Sequence, residues 1–274
     1  MQGRGSITMI PALNTSAEKS SERLAWDETH LADPHSEADK AQRINAMFDA
    51  IAESYDLNNR LHSLWRDQAW RRKAVRLAHV NAGEDVVVDV ACGTGDLALA
   101  FARGGAAKVI GIDFVPRMIR LAQEKAAKHV FPAAPEFRVG DAMNLDLPDA
   151  CCDIVSIAFG IRNVADPLRA MREFRRILRP GGRLVILEFS TPPNPLMRAI
   201  YNFYSHSIMP RTATWISRDR TGAYKYLPRS VDTFATRERM VEMMESAGFI
   251  AEKPHSMTLG ICAAYLGRVA ETSG

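Results

Sequence analysis

The sequence predicts a doubly wound α/β fold, a mostly parallel sheet with helices on both faces and an antiparallel terminal strand. Three observations predict it. A β-branched run, Val86-Val87-Val88-Asp89-Val90, passes through the turn Gly93-Thr94-Gly95 into the helix-like stretch Asp96 to Ala102. Strand-length apolar runs then alternate with helical patterns as far as Glu188, the mark of parallel βαβ units. Beyond a long insertion, Ala247-Gly248-Phe249 leads into two closing strand patterns with a turn between them.

Each element has its own signal. Ile44, Met47, Phe48, Ile51 and Tyr55 recur at three-and-four spacing, which places one apolar stripe on a helix starting near Ala41. A second helix is predicted from Trp65 to Ala78. Strands are expected at Lys108 to Ile112, Glu136 to Val139, Ile154 to Phe159 and Arg183 to Glu188. Helices are expected at Pro116 to Lys128, Pro167 to Leu178 and Arg237 to Ala247, and the closing strands at Phe249 to His255 and Gly260 to Leu266. Residues 1–38 mix Ser, Thr, Pro and charged groups with few large apolar ones, so they read as a flexible polar leader before a domain at 39–274, with an insertion near 191–236.

Composition narrows the function classes. An apolar fraction of 47% with 24% charged residues supports a buried core. Lys and Arg exceed Asp and Glu by only 35 against 32, which disfavours a nucleic-acid substrate. Cys92, Cys151, Cys152 and Cys262 form no CxxC pair, so neither a disulfide scaffold nor a metal site is expected and a reducing cytoplasm fits. No run of eighteen apolar residues suggests a membrane span. Residues 1–40 carry seven acidic side chains against four Lys or Arg, unlike a transit peptide. Oligomeric state is left open, a homo-oligomer included.

The glycine turn with Ala98 three residues on satisfies G-x-G-x-x-G/A, and Asp113 closes the next strand eighteen residues after Gly95. Glycines let backbone N–H groups approach a ligand at the positive end of a helix, and the carboxylate can accept from two ribose hydroxyls. That pair names a nucleoside site and leaves both a nicotinamide cofactor and S-adenosylmethionine open. Three features favour the methyl donor: the Leu178-Arg179-Pro180-Gly181-Gly182 turn, Gly140-Asp141-Ala142 at the end of the third strand, and the closing hairpin. Asp141 can accept from an adenine amine, and the Ala142 N–H can donate to a ring nitrogen.

The chain further resembles the UbiE/COQ5 C-methyltransferases of quinone biosynthesis over about residues 44–268. The resemblance rests on Tyr55-Asp56-Leu57-Asn58-Asn59, Trp70-Arg71, Phe159-Gly160-Ile161-Arg162-Asn163, Leu187-Glu188-Phe189-Ser190 and Tyr226-Leu227-Pro228-Arg229-Ser230, in that order around the loop Asp89 to Asp96. It implies the Rossmann-like fold of class I methyltransferases with a seven-stranded sheet, S-adenosyl-L-methionine as donor and a polyprenyl quinol as acceptor. Demethylmenaquinol is the expected acceptor, with a methoxylated polyprenyl benzoquinol of ubiquinone biosynthesis as the alternative and a nicotinamide oxidoreductase as the rival class. The resemblance also implies a cytoplasmic enzyme working at the inner membrane surface. The donor-site expectation comprises Asp89, Gly93, Thr94, Gly95, Asp113, Asp141 and Ala142. Ala158 stands where ubiquinone-type members place a Ser, and Cys92 resembles the menaquinone branch.

An electrophilic methyl must be attacked by a ring carbon, which only the reduced quinol makes nucleophilic. The protein must align the carbons, stabilise phenolate charge and let the ring proton leave. Arg162 suits the phenolate, its alternative being an ion pair with Asp153 or Asp166. Asn163 is a candidate to hold a water. Tyr55 and His62 are base candidates, against roles as a core tyrosine and a surface histidine. Leu196 to Ile216 reads as a cap helix that could also admit a prenyl tail.

Overall fold

The computed structural model describes residues 24–271. Two helices, α1 (Lys40–His62) and α2 (Arg66–Leu77), precede the alternating core. That core runs β1 (Val86–Val90), α3 (Asp96–Arg103), β2 (Lys108–Asp113), α4 (Pro116–Ala127), β3 (Glu136–Val139), β4 (Cys152–Ala158), α5 (Pro167–Ile177) and β5 (Leu178–Phe189). The insertion holds α6 (Pro195–Phe203), one π-helical turn (Tyr204–Ile208), α7 (Met209–Ser217) and α8 (Ala223–Thr233). It is followed by α9 (Arg237–Ser246), β6 (Ile250–Ala251), β7 (His255–Met257) and β8 (Cys262–Arg268).

The sheet order is β3-β2-β1-β4-β5-β8-β6, with β7 also pairing β8. Strands β1 to β5 pair in parallel and β8 runs antiparallel to β5. The expected strand Phe249 to His255 is instead two short segments on the same edge of β8, so the sheet has seven strand positions. Pro254, which has no N–H to donate, lies in the gap. Helix α5 ends at Ile177, and β5 begins one residue later, ahead of the Pro-Gly-Gly turn.

Apolar residues on both faces of the sheet explain why β1, β4 and β5 read as near-continuous hydrophobic runs. Val88, Val155, Ile157 and Ile186 pack with Met171 and Phe174 on one face. Val87, Ile154, Val185 and Leu187 pack with Leu97, Phe101 and Ala74 on the other.

Residues 1–23 of the expected leader lie outside the described residues, but 24–38 pack on the insertion. Trp26 is buried, stacks on Tyr226 with ring centroids 4.3 Å apart, and donates its backbone N–H to the Thr221 carbonyl at 2.8 Å. Arg229 also donates to the Leu31 and Ala32 carbonyls, contacts that average composition does not reveal.

Candidate active site

The switch between β1 and β4, where the sheet order reverses, opens a cleft at the carboxyl ends of the strands, as the topology requires. Gly93 (φ +55°) and Gly95 (φ +84°) shape its loop for different reasons. A side chain at Gly93 would meet only the Tyr55 ring, at 3.9 Å, so this glycine keeps the ligand side open. A Cβ at Gly95 would come within 2.9 Å of the Phe137 ring and 3.1 Å of Ala122. Gly95 therefore serves the packing of the loop on the sheet and lines none of the cavities.

Asp113 accepts from the Gly93 N–H at 2.7 Å and the Val115 N–H at 2.9 Å, which fixes the carboxylate at the rim of a cleft of about 170 Å³. Each oxygen keeps a second lone pair. Burial raises its pKa, and the backbone donors oppose that rise. Asp141 and Ala142 line the far end of the same cleft, where Asp141 accepts from the Met143 N–H at 2.9 Å. Ala158 and Asn163 also border it.

A small polar branch beside this cleft, sharing Gly93 and Ala158 with it, is lined also by Thr94, Asp89 and Arg71. Asp89 is fully buried and accepts from Ser156 Oγ at 2.7 Å. Thr94 is committed to an ionic clasp: its hydroxyl donates to Asp56 at 2.6 Å, and Lys125 Nζ reaches Thr94 at 2.9 Å, Asp56 at 2.5 Å and Asp96 at 2.7 Å. The clasp ties α1 and α4 to the glycine loop.

A second cavity of about 500 Å³ lies between α1, α2 and the insertion, with an apolar lining that includes Trp70, Phe159, Phe189, Tyr201 and Met209. Tyr55 borders all three spaces and Phe159 borders the two larger ones, so these rings stand between the cleft and the cavity. Burial also raises the Tyr55 pKa, which disfavours a phenolate there and speaks against a base at neutral pH.

Arg162 is on the cavity wall and 2% exposed. It does not pair with Asp153, which Arg179 engages at 2.6 Å, or with Asp166, which caps α5 through the Arg169 N–H. Its partner is Glu188 at the end of β5: Nη1 donates to Glu188 at 2.5 Å and to the Phe159 carbonyl at 2.8 Å, and Nε donates to Ser230 Oγ at 3.2 Å. Nη2 makes no protein hydrogen bond among the described residues. The guanidinium is thus held through Nε and Nη1, and Nη2 is left without a protein partner among the described residues.

Asn163 lies beside Arg162 in sequence but faces the cleft, accepting from Tyr226 Oη at 2.9 Å. His62 lines the cavity and meets Tyr204 Oη through Nδ1 at 2.9 Å, while Nε2 is enclosed with no partner. Burial lowers its pKa, so the neutral imidazole prevails. Sequence reasoning assigned no role to Glu188, Arg71, Tyr201 or Ser230. The signals for Glu188 were its place in the Leu187-Glu188-Phe189-Ser190 segment and the presence of an acid inside an apolar strand.

Comparison with known proteins agrees with this geometry. The model of the ubiE/COQ5 methyltransferase family matches residues 36–268. The chain belongs to that family. Among its relatives, the demethylmenaquinone methyltransferase of Deinococcus radiodurans is 42% identical over 84% of this chain and 93% of its own length. That of Thermus thermophilus is 43% identical over 81% and 99%. The ubiquinone/menaquinone biosynthesis C-methyltransferase UbiE of Geobacter sp. strain M21 is 41% identical over 84% and 97%.

Solved SAM-dependent methyltransferases share the fold. One from Aquifex aeolicus has TM-score 0.53 at 18% identity, covering 73% of this chain and 89% of that one. Another from Methanosarcina mazei has TM-score 0.52 at 22% identity, covering 72% and 97%. The class I methyltransferase fold expected from the sequence is the one observed. The segments that carried the family resemblance, distant in sequence, converge on the walls of the cleft and the cavity.

Proposed function

We propose that this protein transfers a methyl group from S-adenosylmethionine to a ring carbon of a polyprenyl quinol, converting demethylmenaquinol to menaquinol. Membership in the ubiE/COQ5 family supports the reaction class, and the relatives named demethylmenaquinone methyltransferases support the naphthoquinol. Ala158, which gives the cleft no hydroxyl, supports that acceptor over the benzoquinol alternative. No observation favours a nicotinamide oxidoreductase.

The residues fit the donor. Gly93 leaves room that a Cβ would fill, Asp113 offers free lone pairs at the cleft, and a buried oxygen of Asp89 lacks a partner. When bound, the donor supplies a sulfonium-activated methyl. Gly93, Asp113, Asp141 and Ala142 would hold the nucleoside, with Asp89 and Thr94 toward its other end. The single observation that carries the mechanism is that Tyr55 and Phe159 line both spaces, which puts a ring in the apolar cavity next to the donor cleft. As the new C–C bond forms, the C–S bond breaks and the ring proton is lost. The unpartnered Nη2 of Arg162 stabilises the phenolate oxygen that drives the attack.

Turnover is expected only with reduced substrate, because an oxidised quinone ring is electron-poor. Methylation should proceed under dithionite and stop in air-oxidised substrate. Equal turnover in both would overturn the mechanism. Supplying reduced naphthoquinol and methoxybenzoquinol acceptors in parallel decides the ring.

The tail of such a substrate needs a way out. Around the insertion, Leu196, Ile200, Phe203, Ile208 and Trp215 are exposed, Trp215 by 82%, and α6 has no buried residue. Exposed Arg198, Arg211, Arg218 and Arg220 accompany them, and Asp219 is turned inward onto the Thr221 and Ala223 N–H groups. An apolar rim with basic flanks suits an anionic bilayer surface. Among the described residues no helix is long and apolar enough to cross a membrane, which fits contact at the surface. The double variant Phe203→Glu/Trp215→Glu should stop sedimenting with phosphatidylglycerol vesicles and keep its turnover of a short-chain quinol. Unchanged sedimentation would remove this face.

A further inference from the structure

We propose that residues 24–38 act as a strap that positions Arg162 for the acceptor, with His35 as the positioning residue that transmits the contact. The proposal rests on the quinol-methylation reading and concerns a segment of which residues 24–35 precede the family match, which begins at residue 36.

The strap is seated on α8. The Trp26 ring stacks on Tyr226, and the Trp26 N–H donates to the Thr221 carbonyl just before that helix. A Cβ at Gly222 (φ +79°) would come within 2.5 Å of the Trp26 carbonyl oxygen, so this glycine admits the close approach. Helix α1 holds the strap as well: Arg43, 6% exposed, donates to the Ala25 carbonyl at 2.8 Å, with its guanidinium carbon 5.9 Å from the Trp26 ring centroid.

His35 carries the strap to the acceptor side. Its Nε2 lies 3.0 Å from the carbonyl of Ser230, in the last turn of α8, where helix carbonyls lack an intrahelical donor. A carbonyl can only accept, so Nε2 holds the ring proton and Nδ1 presents its lone pair, 3.4 Å from Lys40 Nζ. Lys40, 2% exposed, in turn donates to the Val164 carbonyl at 2.7 Å. Burial and the Lys40 charge hold the His35 pKa below its ordinary value, which keeps the ring in the neutral form this pattern needs. Arg162 is tied to both anchored points. Ser230 Oγ accepts from its Nε at 3.2 Å, and Val164 follows directly on the 3₁₀ turn Ile161–Asn163 that carries it. A donor that must meet one oxygen depends on such supports, since a misplacement of about 1 Å can cost on the order of a hundredfold in rate.

The rival role for these contacts is stability alone. Turnover of reduced naphthoquinol, S-adenosylhomocysteine affinity and melting temperature, measured on the full chain, separate the two. His35→Ala should lower kcat about tenfold at a temperature where it is folded, and leave S-adenosylhomocysteine affinity within about twofold. His35→Gln, whose amide can donate to the Ser230 carbonyl, should recover most of the loss. Arg229→Ala, at an exposed position, releases the Leu31 and Ala32 carbonyls without touching the core and should lower kcat about threefold. In Ser230→Ala, which removes the acceptor for Arg162 Nε, adding His35→Ala should lower kcat only about twofold further. Parental kcat in folded His35→Ala, or in Arg229→Ala where His35→Ala does not fold, overturns the proposal alone. So does a His35→Ala loss undiminished in the Ser230→Ala background, or donor affinity that falls in step with kcat. A parent protein that methylates no reduced quinol overturns the reaction reading beneath it.

Discussion

Replacing Arg162 with Ala is expected to cost on the order of a hundredfold or more in turnover and also to lower the melting temperature. The first effect follows from losing the free Nη2 donor and the charge proposed to meet the phenolate. The second follows from Glu188, which is 2% exposed, has burial holding its pKa up against the Arg162 charge, and already has one oxygen without a partner. Stripping one partner from a buried ion pair costs about 3–5 kcal/mol, which in a domain of this size lowers Tm by roughly 6–20 °C. Arg162→Lys keeps the charge beside Glu188 but loses the second branch, so it should fold and retain partial turnover.

The double variant Arg162→Met/Glu188→Leu separates the two effects, since removing both charges avoids an unpaired buried carboxylate. It should melt near the parent and remain inactive. Donor affinity should stay close to the parent in every case, because Arg162 lines the cavity and not the nucleoside cleft. Parental turnover by the folded double variant would take Arg162 out of the chemistry.

Asp113→Ala is expected to weaken the donor on the order of a hundredfold or more. Two charge-assisted hydrogen bonds to ribose hydroxyls contribute about 1.5–3 kcal/mol each. The same carboxylate fixes the Gly93 and Val115 N–H groups, so its loss also loosens the loop. Asp113→Asn keeps one acceptor oxygen and should lose about tenfold. Calorimetry with S-adenosylhomocysteine measures both, and unchanged affinity in the Ala variant would remove Asp113 from the donor site.

The proposed donor side of the site was legible because it is local. A strand, a glycine turn, a helix and an acid at the next strand end are consecutive in the chain, and βαβ geometry alone brings them to one edge. Asp89, Gly93, Thr94, Asp113, Asp141 and Ala142 all border the cleft or its branch. Only Gly95 differs, because Phe137 and Ala122 occupy the space beside it.

The acceptor side was legible as residues and not as contacts. Arg162 was identifiable as a candidate cation for the phenolate, but its partner lies 26 positions away on β5, and the hydroxyl on its other side 68 positions away on α8. Neighbours in sequence also part company: Arg162 faces the cavity and Asn163 the cleft, since a single 3₁₀ turn at Ile161–Asn163 rotates them apart.

What the sequence determined by itself was the class of fold, the methyl donor and the family, because periodicity and short motifs are set by backbone geometry within a few residues. Only the tertiary structure decided which carboxylate holds Arg162, that Trp26 draws residues 24–38 onto the insertion, and that Arg71 and Asp89 line one branch. Those outcomes depend on the burial and pairing of groups brought together by packing, and the energies of such pairs are fixed by surroundings that no stretch of sequence carries alone.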